Sequence, residues 1–400
     1  MKRDYGVIIF GATGFTGALV ARYFAEKVPL DQTNWTIAGR SLEKLEILKE
    51  ELEAINPACT SLKPLCAEVS DTRSLNEMAS AGKVILTTVG PYARYGDALV
   101  KACVEQGTHY VDITGEPSFW YASIERYHAL AADKGAIIVP CCGFESIPPD
   151  MGVLFALSKL PKDEPKSFRA YMMARGEVSG GTWHSAINGM ATLSEFKKSQ
   201  GAKAEKSKKR ATSPKTRTWE KLPGIHRNQR LGKWALPMPT IDPAVVRRSA
   251  RIRGDYGPDF QYGYYMATRN GAQAAGIVSG VGALFTLAQL PPTRKWLLSL
   301  KPPGTGPSDE SMEKGWFRLL TYGRTPTQEI VSEVSGGEPG YSETAKMLAE
   351  SALCLAEDSG KIPGKGGVLT PASAFGTVLI ERLLKAGIQI RELPTEGLAK

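Results

Sequence analysis

The sequence predicts a doubly wound α/β domain at the start of a chain long enough for two or three domains, and two observations carry that prediction. The first 140 residues alternate strand-like and helix-like stretches, and a glycine-rich turn falls where the first strand would pass into the first helix. Short apolar runs at 6–10, 35–38, 64–67, 84–88, 109–113 and 136–139 have the length of buried parallel strands. Between them Phe15, Leu19, Tyr23 and Phe24 follow helical spacing, and Leu42, Leu45, Leu48, Leu52 and Ile55 do so again. Each set makes one apolar face, which is what a helix lying on a sheet needs. The sixth strand runs into PCCGFESIPPD at 140–150, the expected crossing to the next domain, before a helix expected to begin near Met151.

Composition limits the class. The 400 residues are 42% hydrophobic and 23% charged, so a globular core is affordable without staples. Cys59, Cys66, Cys103, Cys141, Cys142 and Cys354 show no CxxC spacing, and no stretch reads as a signal peptide. A reducing, cytoplasmic setting without disulfides is expected. His109, His128, His184 and His226 are scattered and no HExxH occurs, so no metal is assigned. The net charge of +9 is local in origin: residues 196–233 hold thirteen Lys/Arg against two Glu, a balance of +11 that leaves −2 elsewhere. With KSKKR at 206–210, Ser-Pro at Ser213 and no apolar periodicity, this stretch reads as a long exposed basic loop, an insertion.

The glycine turn points to a dinucleotide. Gly11, Gly14 and Gly17, with Thr13, Phe15 and Thr16 between them, let the backbone turn tightly and approach a pyrophosphate. The unpaired N–H groups opening the helix then meet its charge. This is a Rossmann cofactor site. After strand two an NAD enzyme usually places an acid on the ribose hydroxyls, whereas this chain has Arg40 and Ser41. A guanidinium and a hydroxyl suit the 2′-phosphate of NADP(H), which is the expected cofactor. A plain surface arginine and a helix-capping serine fit the same two residues. Asp71, beyond strand three, is placed beside the adenine or as a helix cap, and Val89, Gly90 and Pro91, after strand four, lie where a nicotinamide would sit.

Glu145 and Asp150 follow strand six and are candidates for acid–base work, Asp150 also as a helix cap. The GATGFTG turn, Ala38-Gly39-Arg40, VGPYARYGDALVKAC from Val89, GTHYVDITGE from Gly107, GFESIPPDMG from Gly143 and GGVLTPASAFG from Gly366 together resemble the saccharopine dehydrogenase-like oxidoreductases. That family includes trans-acting enoyl reductases of polyketide-lipid assembly. The likeness departs at Glu145 and Pro149, where relatives often carry Asp and Ser. The resemblance implies an NADP-binding domain over 1–145 and a mixed α/β substrate domain over 146–365. It further implies a C-terminal segment, 366–400, that returns to the first domain. It also implies hydride delivery from NADPH to the β-carbon of an α,β-unsaturated thioester, with protonation at the α-carbon. Tyr92, Tyr95 and Glu145 stand as catalytic candidates for the proton, with His109, Tyr110 and Glu116 also at strand ends. A short-chain dehydrogenase reading fails because YxxxK occurs only as Tyr23 to Lys27, inside the first helix. A non-catalytic NADP-binding, lipid-associated adaptor and an amino-acid (saccharopine-type) dehydrogenase are the alternative readings.

Residues 271–290 carry no charge and contain Gly276 and Gly280 in GxxxG spacing. A buried or interface helix is expected there, ahead of lipid or acyl-chain contact or a membrane span. The basic loop suits an acidic acyl-carrier domain or an anionic membrane surface as partner. No base-reading motif accompanies it, so no nucleic acid is expected.

Overall fold

The computed structural model describes residues 3–176, 183–184, 186–191, 216–219, 223–301 and 306–395. The first half alternates as read: β1 (Tyr5–Phe10), α1 (Phe15–Lys27), β2 (Trp35–Gly39), α2 (Leu42–Ile55), β3 (Leu65–Cys66), α3 (Thr72–Ala81), β4 (Gly82–Thr87), α4 (Tyr92–Gln106), β5 (His109–Asp112), α5 (Pro117–Asp133), β6 (Ile137–Val139) and α6 (Ile147–Leu157). The second half continues with β7 (Lys166–Arg175), β8 (Arg217–Trp219), β9 (His226–Asn228), β10 (Lys233–Pro237), α7 (Asp242–Arg253), β11 (Asp259–Thr268), α8 (Gly271–Gln289), α9 (Pro291–Ser299) and α10 (Asp309–Glu313). It ends with β12 (Trp316–Arg324), β13 (Glu329–Gly336), α11 (Ser342–Ala356), β14 (Gly367–Val368), α12 (Pro371–Phe375), α13 (Thr377–Lys385) and β15 (Gln389–Leu393).

Seven strands form a parallel sheet in the order β14-β6-β5-β4-β1-β2-β3. Val7, Ile8 and Ile9 are fully buried, as expected of a central strand covered on both faces. The chain reverses its winding between β1 and β4, which opens a crevice at the carboxyl ends of those strands. On one face Val20, Ala21 and Phe24 of α1 and Leu45, Leu48 and Leu52 of α2 share a core with Val7 and Ile9; on the other, Leu75 of α3 and Leu99 and Val100 of α4 pack with Ile8 and Ile85.

The second sheet is mixed, in the order β15-β13-β12-β7-β11-β10-β9 with β8 beside β11. It is antiparallel except where β7 and β8 pair parallel to β11. Between the sheets runs α6, with Ile147, Met151, Val153 and Leu154 buried in the shared core. It starts at Ile147 rather than near Met151, because Pro148 and Pro149 occupy its first turn, where a missing N–H breaks no hydrogen bond.

The structure departs from the expectations at several places. The basic stretch is not a loop throughout: residues 217–219 and 226–228 are strands, and Leu231 is buried beside Tyr171 and Tyr265. Residues 196–215 and 220–222, including the KSKKR run and Ser213, lie outside the described residues. The C-terminal segment returns to the first sheet through β14, which pairs with β6, and through Ala372, Ala374 and Phe375 of α12, which share a core with Val7 and Ile9, while β15 pairs with β13 of the second sheet. The two halves also do not separate at one cut, since Ala345, Leu348, Ala349 and Ala352 of α11 share a core with Val7 and Ile9. The apolar stretch 271–290 is a helix but an uncovered one, with only Ala274 and Ala288 buried among its residues. By length and composition it is long and apolar enough to cross a membrane.

Candidate active site

The turn between β1 and α1 has no room for side chains at two of its glycines. Gly11 adopts φ +87°, and a Cβ there would lie 2.7 Å from Val89 Cγ2. A Cβ on Gly17 would lie 2.1 Å from the Gly11 carbonyl oxygen, so α1 packs directly on the turn that precedes it. Gly14 is the N-cap of α1 with no side-chain hydrogen bond, and Thr13 and Gly14 are exposed. The helix start therefore offers free N–H groups to solvent, as a pyrophosphate site requires. The ring of Phe15 packs against Tyr341 at 5.1 Å and closely against Gly306, so the second half of the chain reaches the rim of this cradle. Thr16 is half-exposed in the first turn of α1.

The neighbouring strand ends complete the cradle. Arg40 follows β2 directly and is exposed; Ser41 caps α2, accepting from the Lys44 N–H at 3.4 Å. Asp71 caps α3 by accepting from the Arg73 N–H at 2.9 Å, the capping role weighed for it. Thr88 donates to the Gly11 carbonyl at 3.2 Å and the Val89 N–H donates to Thr87 Oγ1 at 3.2 Å, tying the β4 loop to the glycine turn. Gly90 and Pro91, joined by a cis peptide, lead from that loop into α4.

Acidic groups gather at the carboxyl ends of β5 and β6. Asp112 accepts from the N–H groups of Thr114 (2.9 Å) and Cys141 (3.1 Å) and from the Tyr110 hydroxyl (2.6 Å), and burial pushes its carboxyl up to about 7. Glu116 caps α4, accepting from the N–H groups of Tyr92 (3.0 Å) and Ala93 (2.9 Å). Asp242, at the start of α7, accepts from Ser146 (3.0 Å) and Thr240 (2.6 Å); burial, and after it the nearby Glu145 charge, pushes it up to about 8. Glu145 differs from all three: its buried Oε2 has no hydrogen-bond partner among the described residues, and burial raises its pKa. Gly115 and Gly143 flank this carboxyl group, and a side chain on Gly143 would come within 2.9 Å of Oε2.

The other candidates for the proton are engaged elsewhere. Tyr92 is buried and donates its hydroxyl to the Thr87 carbonyl at 3.3 Å, and burial pushes its pKa well above the usual tyrosine value. Tyr95 stands half-exposed on α4 beside the Arg94 guanidinium, 5.0 Å from its ring centre. His109 accepts the Ile137 N–H through Nδ1, and burial lowers it to about 4, so it stays neutral. Asp150 does not cap α6; inside the helix it accepts from the Ala372 N–H and the Ser249 hydroxyl, fastening α12 and α7. Asp242 is the site residue that sequence reasoning missed. Its Thr-x-Asp-Pro context signals only a helix start, and 96 residues separate it from Ser146.

Comparison with known proteins agrees with this geometry. Residues 7–139 match the family model described as the saccharopine dehydrogenase NADP binding domain. The chain is 35% identical to a Mycobacterium tuberculosis protein whose name assigns it to the trans-acting enoyl reductases, over 97% of both chains. It is 32% identical to the trans-acting enoyl reductase of Mycobacterium ulcerans, over 97% of this chain and 98% of that one. With the human saccharopine dehydrogenase-like oxidoreductase it shares 31% identity over 97% of both. The chain belongs to the saccharopine dehydrogenase-like oxidoreductases. As a member it is an NADP-binding oxidoreductase, and the cradle of Gly11, Gly14 and Gly17 fits that cofactor. Apo saccharopine dehydrogenase from Saccharomyces cerevisiae shares the fold, with a TM-score of 0.56 over 97% of this chain and 99% of that one at 9% identity.

Proposed function

We propose that this oxidoreductase is a trans-acting enoyl reductase that saturates the α,β-double bond of a lipid or polyketide acyl thioester, with Glu145 supplying the proton. NADPH, held by the glycine turn and by Arg40 and Ser41, brings a hydride for the β-carbon when bound. What remains for the chain is to deliver a proton to the α-carbon and to keep water out. The observation that carries the reading is the half-buried Glu145 side chain in the loop after β6, whose Oε2 is buried and has no hydrogen-bond partner among the described residues. Burial raises its pKa above the ordinary carboxylate value, which favours the acid form that a proton donor needs. Asp242, pushed up by burial to about 8, adds little negative charge near Glu145 below pH 7. The name of the M. ulcerans relative supports the same reaction class.

The test is NADPH consumption by the purified chain with unsaturated acyl thioesters of several lengths. Turnover above background is expected, and Glu145→Gln is expected to lower kcat by on the order of a hundredfold with NADPH affinity unchanged. Bound cofactor without turnover across all chain lengths would overturn the reaction, and full activity in the variant would overturn the role of Glu145.

One observation favours a second reading, a lipid-associated adaptor. Val278, Val281, Leu290, Trp296 and Leu300, on α8, on α9 and beside them, are exposed. Such a patch is unusual for a monomeric surface and suits the edge of a lipid layer. Flotation with anionic vesicles tests it: Val281→Asp combined with Trp296→Asp should abolish association, and unchanged flotation would sink the idea.

A further inference from the structure

Helix α7 links the proposed site to a group of cations that the reaction does not use. Asp242 at its start touches Ser146 beside Glu145, while Arg247, Arg248 and Arg251 lie towards its other end. At 1.5 Å per residue, Arg248 lies about 9 Å and Arg251 about 14 Å further along the axis. The Arg248 guanidinium lies over the Trp120 ring, 6.0 Å from its centre, and donates to the Val368 carbonyl at 3.0 Å, while its Nε is buried without a partner among the described residues. Arg251 is exposed and donates twice to the Thr218 hydroxyl, at 2.9 and 2.6 Å. Trp120 is 2% exposed and its Nε1 has no partner among the described residues.

Neither Arg248 nor Arg251 has a carboxylate partner among the described residues. Arg253, two positions on, shows what an ordinary structural arginine does here: it binds Asp255 through Nε and Nη2, at 3.1 and 2.6 Å. For Arg248, burial first and then the Arg251 charge lower the pKa to about 10; for Arg251, burial and then Arg247 act in the same direction. A guanidinium largely withdrawn from water beside a second cation, as at Arg248, is unfavourable unless an anion joins it. Guanidinium forks match phosphate oxygens in particular.

We propose that Arg248 and Arg251, with Trp120 and Thr218 beside them, form a phosphate subsite that holds the phosphate ester of a pantetheine arm while its thioester lies at Glu145. The assignment of the arm rests on the enoyl-thioester reading; the phosphate site itself does not. A thioester on such an arm carries its phosphate well away from the reacting double bond, and Arg248 and Arg251 stand along α7 from the end that touches Ser146 beside Glu145. Both coenzyme A and a phosphopantetheinylated carrier protein present this chemistry.

Calorimetry on the full chain, loaded with one equivalent of NADPH, compares pantetheine 4′-phosphate with pantetheine. The phosphorylated compound should bind at least tenfold more tightly, and Arg248→Gln combined with Arg251→Gln should erase that preference. Arg251→Gln alone changes an exposed side chain, so it is expected to fold and should lose most of the preference. Equal binding of the two compounds by the unaltered chain, or a preference kept in both variants, overturns the subsite. Tighter binding of coenzyme A than of a phosphopantetheinylated carrier assigns the arm to the free thioester, and the reverse order assigns it to the carrier. If phosphate-dependent binding is found and no thioester is reduced, the reaction fails and the subsite stands. If thioesters are reduced with no phosphate dependence, the subsite fails and the reaction stands.

Discussion

Gly17→Ala tests whether the glycine turn is a cofactor cradle or merely a tight corner. The added methyl would lie 2.1 Å from the Gly11 carbonyl oxygen, with the Ala12 Cα and the Gly11 carbonyl carbon each 2.9 Å away. Relief of that overlap needs a displacement of about 1 Å, given the close packing of the surroundings. Helix α1 cannot take it up cheaply, because Val20, Ala21 and Phe24 are fully buried against the sheet, and β1 lies at the sheet centre. The turn at 11–14 and the start of α1 must shift, and the free N–H groups that open the helix would lose their aim at a bound pyrophosphate. Overpacking of this kind costs about 1–3 kcal/mol. NADPH affinity, read by equilibrium fluorescence, should fall by roughly ten- to a hundredfold, since about 1.4 kcal/mol is tenfold. Thermal melting should fall by a few degrees. Gly14→Ala is the control: its Cβ would lie 3.3 Å from the Gly11 oxygen, and φ −79° suits any residue. It should change affinity less than fivefold. A Gly17→Ala protein that binds NADPH as tightly as the unaltered chain would refute the cradle.

Further tests address cofactor choice and pH. Arg40→Asp removes a guanidinium from the end of β2 and should weaken NADPH binding by roughly tenfold or more while NADH binding holds or improves, since hydrogen bonds to charged groups contribute about 1.5–3 kcal/mol. Equal affinities for both cofactors, before and after the change, would remove the 2′-phosphate contact. Asp242 titrates near 8 in the folded chain and near the ordinary carboxylate value when unfolded, so between about pH 4 and 8 the folded state binds more protons. Stability from this group is therefore present at low pH and is lost as pH rises towards 8, at up to about 1.4 kcal/mol per unit. Asp242→Asn should flatten the decline in denaturant midpoint between pH 5 and 8, and a slope unchanged in the variant would contradict the assignment.

Local chemistry was legible in the chain because it is written over a few adjacent residues. Gly11, Gly14 and Gly17 stand where β1 meets α1, and the apolar spacing of Leu45, Leu48 and Leu52 marks the buried face of α2. That the first six strands lie parallel follows from that rhythm, since parallel strands need a helical crossover between them. Glu145 was a candidate from its place after β6 alone.

What only the tertiary structure decided is which distant surfaces meet. The pattern of Ala345, Leu348, Ala349 and Ala352 says that α11 has an apolar face, but not that the face covers the first sheet across more than 300 residues of chain from Tyr23, whose hydroxyl reaches Glu350 at |i−j| 327. Tyr92 reads as a polar group at a strand end until folding turns its hydroxyl back onto the Thr87 carbonyl. Asp242 joins Ser146 through a hydrogen bond between side chains on different helices, which no local spacing encodes. Periodicity reports that a face is apolar and a cap residue reports where a helix starts. The partner of each is chosen by long-range burial, and at α8 the same apolar pattern stays uncovered.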